Sequence, residues 1–153
     1  MNNFYHATEI LRQVLLDVGF TTVSFGSLSN SDLARQELMP LVHIVPQPMQ
    51  IGSQAITYNF TISGMDIVDF NKDDINDEEE NSFYTTNNLQ DVYNDIAIRF
   101  SNFEAILRKK DLPYLTEVSI GTSAVPFEEK GKNLYAGWAL TIGLTLPSDA
   151  TIC

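Results

Sequence analysis

The strongest constraint on the fold is an alternating segment at residues 56–68. In its first half the apolar residues occupy every second position, namely Ile56, Tyr58, Phe60 and Ile62. This period of two predicts a β-strand with one buried face. After Gly64 the apolar residues move to odd positions. Because a slip of one residue turns every side chain over, we expect a bulge or a twist at Gly64.

A second long strand is predicted at residues 134–146. One of its faces carries Trp138, Leu140, Ile142, Leu144 and Leu146. The other face carries Gly137, Ala139, Thr141, Gly143 and Thr145. Since side chains alternate along a strand, the first face would pack against the core and the second would leave room for a close neighbour.

Two segments have the periodicity of amphipathic helices. In residues 3–18 the apolar stripe consists of Ala7, Ile10, Leu11, Val14, Leu15 and Val18. In residues 89–109 it consists of Leu89, Val92, Tyr93, Ile96, Phe100, Phe103 and Leu107. Asn3 can cap the first helix, and Gly19 stands where a helix ends in a left-handed residue.

The remaining segments complete an α+β fold. Strands are predicted at residues 21–26, 41–45 and 115–125, and a charged loop at residues 126–133. Because Pro40, Pro46 and Pro48 flank the strand at 41–45, we expect that strand to be short or at an edge of the sheet. The order is α-β-β-β-α-β-β: a single domain, 1–153, with two helices packed on a mostly antiparallel sheet. An acidic loop at 71–81 and a flexible C-terminal tail at 148–153 are expected outside it.

Composition narrows the classes of partner. The 153 residues include 20 acidic and 9 basic residues, for a net charge of −11. This argues against binding to nucleic acid or to anionic membranes, which requires a basic surface. No segment has the ~20 apolar residues of a membrane span. The lone Cys153 cannot form an intramolecular disulfide, and residues 1–13 do not resemble a signal peptide, so we expect a cytoplasmic protein.

The acidic run at residues 69–80 resembles a calcium-binding loop in its spacing. Its oxygen donors would be Asp69, Asn71, Asp73, Asp77 and Glu80. However, Asp74 replaces the glycine that such loops need for their sharp turn, and Asn76 replaces the apolar residue that pairs two loops. We therefore expect no specific metal site or cofactor, and a solvated loop that faces water or a partner.

Signatures of catalysis are missing from the sequence. It contains no GxSxG elbow, no phosphate-binding loop and no HExxH pair. His43 lies in a predicted strand without a nearby second histidine or cysteine, which is typical of a half-buried structural histidine. We expect that the protein is not an enzyme and has no catalytic residues.

Several segments together resemble a known family. They are ITYNFTISGMDIVDFNKDD, the helix NNLQDVYNDIAIRF after the acidic run, and FEEKGKNLYAGWALTIGLTLP. Over residues 41–147 the chain resembles small neck or tail proteins of tailed bacteriophages, especially phages of Bacteroidetes hosts. Its element order also looks like that of tail-terminator and neck-ring proteins.

The resemblance implies a structural virion protein: one subunit of a homo-oligomeric ring at the head–tail junction. The expected location is the neck or tail of the virion, after assembly in the host cytoplasm. Neighbouring neck, connector or tail proteins would be its partners, and DNA would pass through the lumen without specific binding. An acidic wall repels DNA weakly, which suits such a channel.

Ring contacts would use strand edges and acidic residues. We expect the strands at residues 56–69 and 134–146 to supply the edges. Candidate partner-interface residues are Asp73, Asp74, Asp77, Glu78, Glu79, Glu80, Glu128 and Glu129. We also expect the loop at 71–81 to become ordered only on assembly. The competing hypothesis is a small acidic binding or adaptor domain, whose binding could depend on a cation.

Overall fold

The computed structural model describes residues 3–26, 39–68, 88–109, 117–120, 123–130 and 134–147. Its elements are α1 (Asn3–Asp17), β1 (Thr22–Phe25), β2 (Leu41–Ile51), β3 (Ala55–Ile67), α2 (Leu89–Lys109), β4 (Glu117–Ile120), β5 (Val125–Lys130) and β6 (Leu134–Pro147). The α+β class and the expected order are confirmed, with one strand more than predicted after α2. The acidic loop at 71–81 and the tail at 148–153 lie outside the described residues.

The strands form one mostly antiparallel sheet. Its order is β1-β2-β3-β6-β4, and β5 pairs with β6 on the same side as β4. Only β1 and β2 are parallel among the described pairs. β3 and β6, which we expected to offer free edges, are instead the two central strands. Each of these two strands has a long apolar face. A central position, with a neighbouring strand on both sides, buries more of that face than an edge position would.

The hydrophobic core lies between the helices and one face of the sheet. Helix α2 contacts β3 and β6, and helix α1 contacts β1 and β6. The apolar stripes predicted for both helices are buried there, except that Val18, Leu89 and Tyr93 are only partly buried. From the sheet the core receives, among others, Phe60, Ile62, Ile142, Leu144 and Leu146.

Helix α1 ends as its sequence predicts. Gly19 has a φ of 106°, in the left-handed region that favours glycine. The amide of Phe20 donates to the carbonyl of Leu15 at 3.3 Å, which is the hydrogen bond that closes a helix after such a glycine. From α2, the Arg99 guanidinium donates to the carbonyl of Val18 at 3.4 Å and so places positive charge at the negative end of α1.

The predicted bulge at Gly64 is wrong. The pairing of β3 with β6 continues in one register through Gly64. A Cβ at this position would lie 2.9 Å from the ring of Phe100, so the glycine continues the helix-facing side of the strand and makes room for α2. Met65 is buried on the opposite face. The irregular register lies in β2, between Gln47 and Gln50.

Strand β2 is longer and more central than predicted, and a proline limits its outer pairing. β1 pairs with its first four residues. The amide of Gly26 donates to the carbonyl of Ile44 at 3.1 Å, so the backbone of even-numbered residues in this part of β2 faces β1. Pro46 is the next such position and has no N–H to offer. The parallel pairing therefore stops at Ile44, and the rest of β2 has no outer neighbour among the described residues.

The charged loop predicted at residues 126–133 is largely a strand. β5 pairs with β6 over Val125–Lys130, whereas the strand predicted at 115–125 is described only as β4, Glu117–Ile120. The acidic pair Glu128 and Glu129 suggested a loop. Edge strands, however, carry charges readily because one side faces water.

Candidate functional site

Most of the predicted site residues lie outside the described part of the chain. These are the weak metal candidates Asp69, Asn71, Asp73, Asp77 and Glu80, and the interface candidates Asp74, Glu78 and Glu79. The two that are described, Glu128 and Glu129, lie on β5 and pair in register with Ala136 and Tyr135. The Glu128 side chain is exposed. Within the described ranges, no three His, Cys, Asp or Glu residues come together as a metal site.

A buried histidine joins β1 to β2. His43 is 5% exposed, its Nδ1 lies 2.7 Å from Ser24 Oγ, and its Nε2 lies 3.1 Å from the carbonyl oxygen of Gly26. Because a carbonyl can only accept, Nε2 carries the proton in the neutral ring and Nδ1 accepts from the serine hydroxyl. His43 lies in a strand, as expected, but its ring is buried rather than half-buried.

The Ser24–His43 pair also has the contact of a nucleophile with a base. A hydroxyl that donates to an imidazole, with the second ring nitrogen oriented by an acceptor, is the arrangement used in nucleophilic catalysis. Here, however, Ser24 and His43 are direct register partners, so the contact follows from the strand pairing itself. We interpret it as the polar link that holds the four-residue β1 on the sheet. Sequence reasoning missed Ser24 because the register of a parallel pair is not visible in the sequence.

The second face of the sheet carries short side chains, as predicted. Thr57 and Thr145 are hydrogen-bonded through their hydroxyls at 2.8 Å, and Thr141 is exposed. At Gly137 an added Cβ would overlap the carbonyl oxygen of Gly64 on β3. Around β6 this face is thus lined by small and polar side chains, whereas Leu41 and Met65, which pair between β2 and β3, are buried apolar residues on it.

A connected aromatic group fixes the β5 edge to α2. The indole Nε1 of Trp138 donates to the carbonyl of Tyr93 at 3.0 Å, and the Tyr93 hydroxyl donates to the carbonyl of Phe127 at 3.1 Å. The Tyr93 and Trp138 rings meet edge to face, 5.4 Å apart. Burial, and secondarily the negative charge of Glu128, raises the pKa of the Tyr93 hydroxyl. The proton that makes the hydrogen bond is therefore retained.

Exposed apolar side chains mark separate places on the surface. The large ones among the described residues are Phe4, Tyr5, Phe25, Met49, Ile51, Ile98 and Val125. Met49 and Ile51 lie on the part of β2 that has no outer neighbour, and Val125 begins β5 at the opposite edge of the sheet. Two different edges of the sheet thus carry unburied apolar groups.

The first three of these side chains line a groove between α1 and β1. The groove has a volume of about 270 Å³, and Val23 and Ile44 also contribute to its lining. The rings of Phe4 and Phe25 meet edge to face at 6.0 Å. A second, more open depression of about 450 Å³ lies between the end of α1 and the last turns of α2. Its lining includes both Asp17 and Lys109, so it is not an apolar site.

Comparisons add no identification. No protein-family model and no curated protein matches the chain. Among the described residues, neither helix has the length and hydrophobicity to cross a membrane.

Proposed function

We propose that this protein is a structural subunit of a closed ring in the neck or at the tail end of a tailed bacteriophage. The proposal starts from the resemblance of residues 41–147 to small phage neck and tail proteins. One observation on the surface supports it most directly: exposed apolar residues stand on opposite edges of one sheet. A ring with cyclic symmetry needs two different patches, because each subunit meets its neighbours through unlike surfaces.

Strand direction is compatible with such a contact. β2, β3, β6 and β5 alternate in direction across the sheet. If the β5 edge of one subunit adjoined the β2 edge of the next, the neighbouring strands would be antiparallel. Pro46 cannot donate at the β2 edge. We therefore expect the contact to depend on side chains rather than on a continuous backbone ladder. Ile51 pairs with Ile56 on the helix-facing side of the sheet, and Val125 pairs with Ala139 on the other side. Each of these two apolar residues would therefore pack against a different part of the neighbouring subunit.

The charge of the chain adds a condition for assembly. Each subunit carries a net charge of −11, so subunits repel one another at low ionic strength. Salt above about 0.1 M shortens the screening distance to 10 Å or less and would favour the ring. In the assembled ring the same charge would let DNA pass without adhesion, and neighbouring neck, connector or tail proteins would contact the ring surfaces. No catalytic step is part of the proposal.

Paired charge variants test the two-patch contact. Native mass spectrometry should show closed species whose masses are integer multiples of 17.2 kDa for the unaltered chain. Ile51→Glu and Val125→Glu, each on a different edge, should both give monomers. Their mixture should give a heterodimer and nothing larger, because one unaltered patch remains on each partner. Ile98→Glu, at an exposed apolar residue on α2, serves as the matched control and should still form rings.

Other outcomes would exclude the proposal. If Ile51→Glu disrupted assembly and Val125→Glu did not, the contact would be one patch against itself, and a ring of this kind would be excluded. A monomer at every concentration and salt condition would favour the small acidic adaptor domain. Calorimetry with Ca²⁺ would then show whether binding by that adaptor depends on a cation.

A further inference from the structure

Within the described residues, nothing covers the outer edge of β1 or blocks the addition of a strand there. The amide of Thr22 donates to the carbonyl of Pro40, just before β2, at 3.4 Å, and the amide of Gly26 donates to the carbonyl of Ile44 on β2 at 3.1 Å. Because backbone groups alternate along a strand, those of Val23 and Phe25 face outward. No described residue pairs with them, and β1 contains neither proline nor a charged residue. An edge of this kind can accept another strand.

The aromatic groove lies directly beside this edge. The side chains of Val23 and Phe25 point toward α1, where Phe25 contacts the ring of Phe4. Tyr5 is 72% exposed at the rim. A strand added to β1 would direct every second side chain into the groove. Free backbone groups and an apolar recess for alternate side chains are together the two elements of peptide recognition by strand addition.

The dimensions of the site favour a peptide over other occupants. β1 has four residues, so an added strand would be paired over only about 13 Å. This is too short to bury the roughly 1,200 Å² of a stable interface between folded copies. The groove volume of about 270 Å³ is close to the lower limit of small-molecule sites, about 300 Å³, and suits one large side chain.

We infer that the α1–β1 groove binds an extended peptide segment of another protein. The segment pairs with Val23 and Phe25 and inserts one leucine, phenylalanine or tryptophan side chain beside Tyr5. The charged groups in the groove wall, Glu9 and Arg12, pair with each other at 3.0 Å. The net charge of −11 therefore acts on the peptide from a distance, and it favours basic residues that flank the inserted side chain. This inference goes beyond the proposed ring and holds whether or not the chain assembles.

A designed peptide provides the probe. Fluorescein-labelled KTVTFTVTK should bind the full chain saturably in fluorescence anisotropy, at a concentration below about 1 mM. Replacing its phenylalanine by alanine should weaken binding about tenfold. Tyr5→Ala should weaken binding about fivefold, since the exposed ring supplies an aromatic contact. Ile98→Ala, at an exposed apolar residue elsewhere, should leave binding unchanged.

Backbone pairing has a readout of its own. N-methylation of those peptide amides that face β1 should abolish binding, whereas N-methylation of the intervening amides should preserve it. On binding, amide exchange should slow at Val23 and Phe25 and stay constant at Thr22 and Gly26, whose amides are already bonded to the carbonyls of Pro40 and Ile44. Absence of saturable binding, equal binding of the alanine peptide, or protection elsewhere in the sheet would overturn the inference.

Discussion

Replacing Gly137 by alanine should strain the centre of the sheet. Gly137 lies opposite Met65 in the pairing of β6 with β3. An added Cβ would overlap the carbonyl oxygen of Gly64 and lie 2.9 Å from the Cα of Met65. Both obstacles are backbone atoms of the other central strand. They cannot rotate away, so the two strands must separate or twist locally.

The size of the effect follows from the bonds that the displacement disrupts. Separating β3 from β6 at this point affects about two ladder hydrogen bonds, each contributing ~1 kcal/mol. Residual backbone strain adds ~1–3 kcal/mol. Alanine has less conformational entropy than glycine in the unfolded chain, which offsets ~0.5–1 kcal/mol of the loss in the free energy of unfolding. The net loss should be ~3 kcal/mol, which lowers the melting temperature by about 6–12 °C for a chain of this size.

Gly143→Ala is the matched control on the same strand and the same face. Its Cβ would lie 2.8 Å from Oδ1 of Asn59, the end of a side chain that can rotate. Rotation of that side chain breaks the hydrogen bond that Asn59 Nδ2 donates to the carbonyl of Pro48, so we expect a loss of about 1 kcal/mol, well below that of Gly137→Ala. Urea unfolding followed by circular dichroism measures both variants. A Gly137→Ala protein as stable as the unaltered chain, or equal losses for both variants, would refute the reasoning.

Three further variants test the core and the aromatic group. Phe103→Ala removes a fully buried ring and should cost ~3–5 kcal/mol in urea unfolding. Trp138→Phe keeps a ring beside Tyr93 but loses the indole hydrogen bond, and should cost ~1 kcal/mol by circular dichroism. Because the folded state raises the pKa of Tyr93, its contribution to stability is complete below the unfolded pKa and is lost as pH rises through the folded value. As the pH rises from 8 to about 11, the free energy of unfolding of Tyr93→Phe should therefore fall less than that of the unaltered chain. Equal losses would contradict this assignment.

The sequence predicted those elements whose side-chain pattern reports burial. The stripe of α1 and the left-handed end at Gly19 are both present in the structure. The small face of β6 is also where the prediction placed it, with Gly137 against the neighbouring backbone. In each case local spacing and core packing require the same conformation, so the pattern alone was sufficient.

The wrong and missing predictions have a different cause: the local sequence does not show which residues from distant segments contact one another. The shift after Gly64 suggested a bulge because the sequence does not show that Phe100 of α2 takes the space above the glycine. Glu128 suggested a loop because charge does not distinguish a loop from an edge strand. The contact of Ser24 with His43 depends on a parallel register between strands that are separated in sequence.

The two outer strands on the β1 side of the sheet differ in what can join them. Pro46 removes a donor from the outer edge of β2, so apolar side chains such as Ile51 remain as the means of contact there. β1 has no such block, but it offers only two residues with outward backbone groups, Val23 and Phe25. A short open edge beside a groove suits a peptide, and a blocked edge with exposed apolar side chains suits a folded neighbour. Under the two proposals, the peptide would bind at β1 while the apolar residues of β2 remained available for contact with a neighbouring subunit.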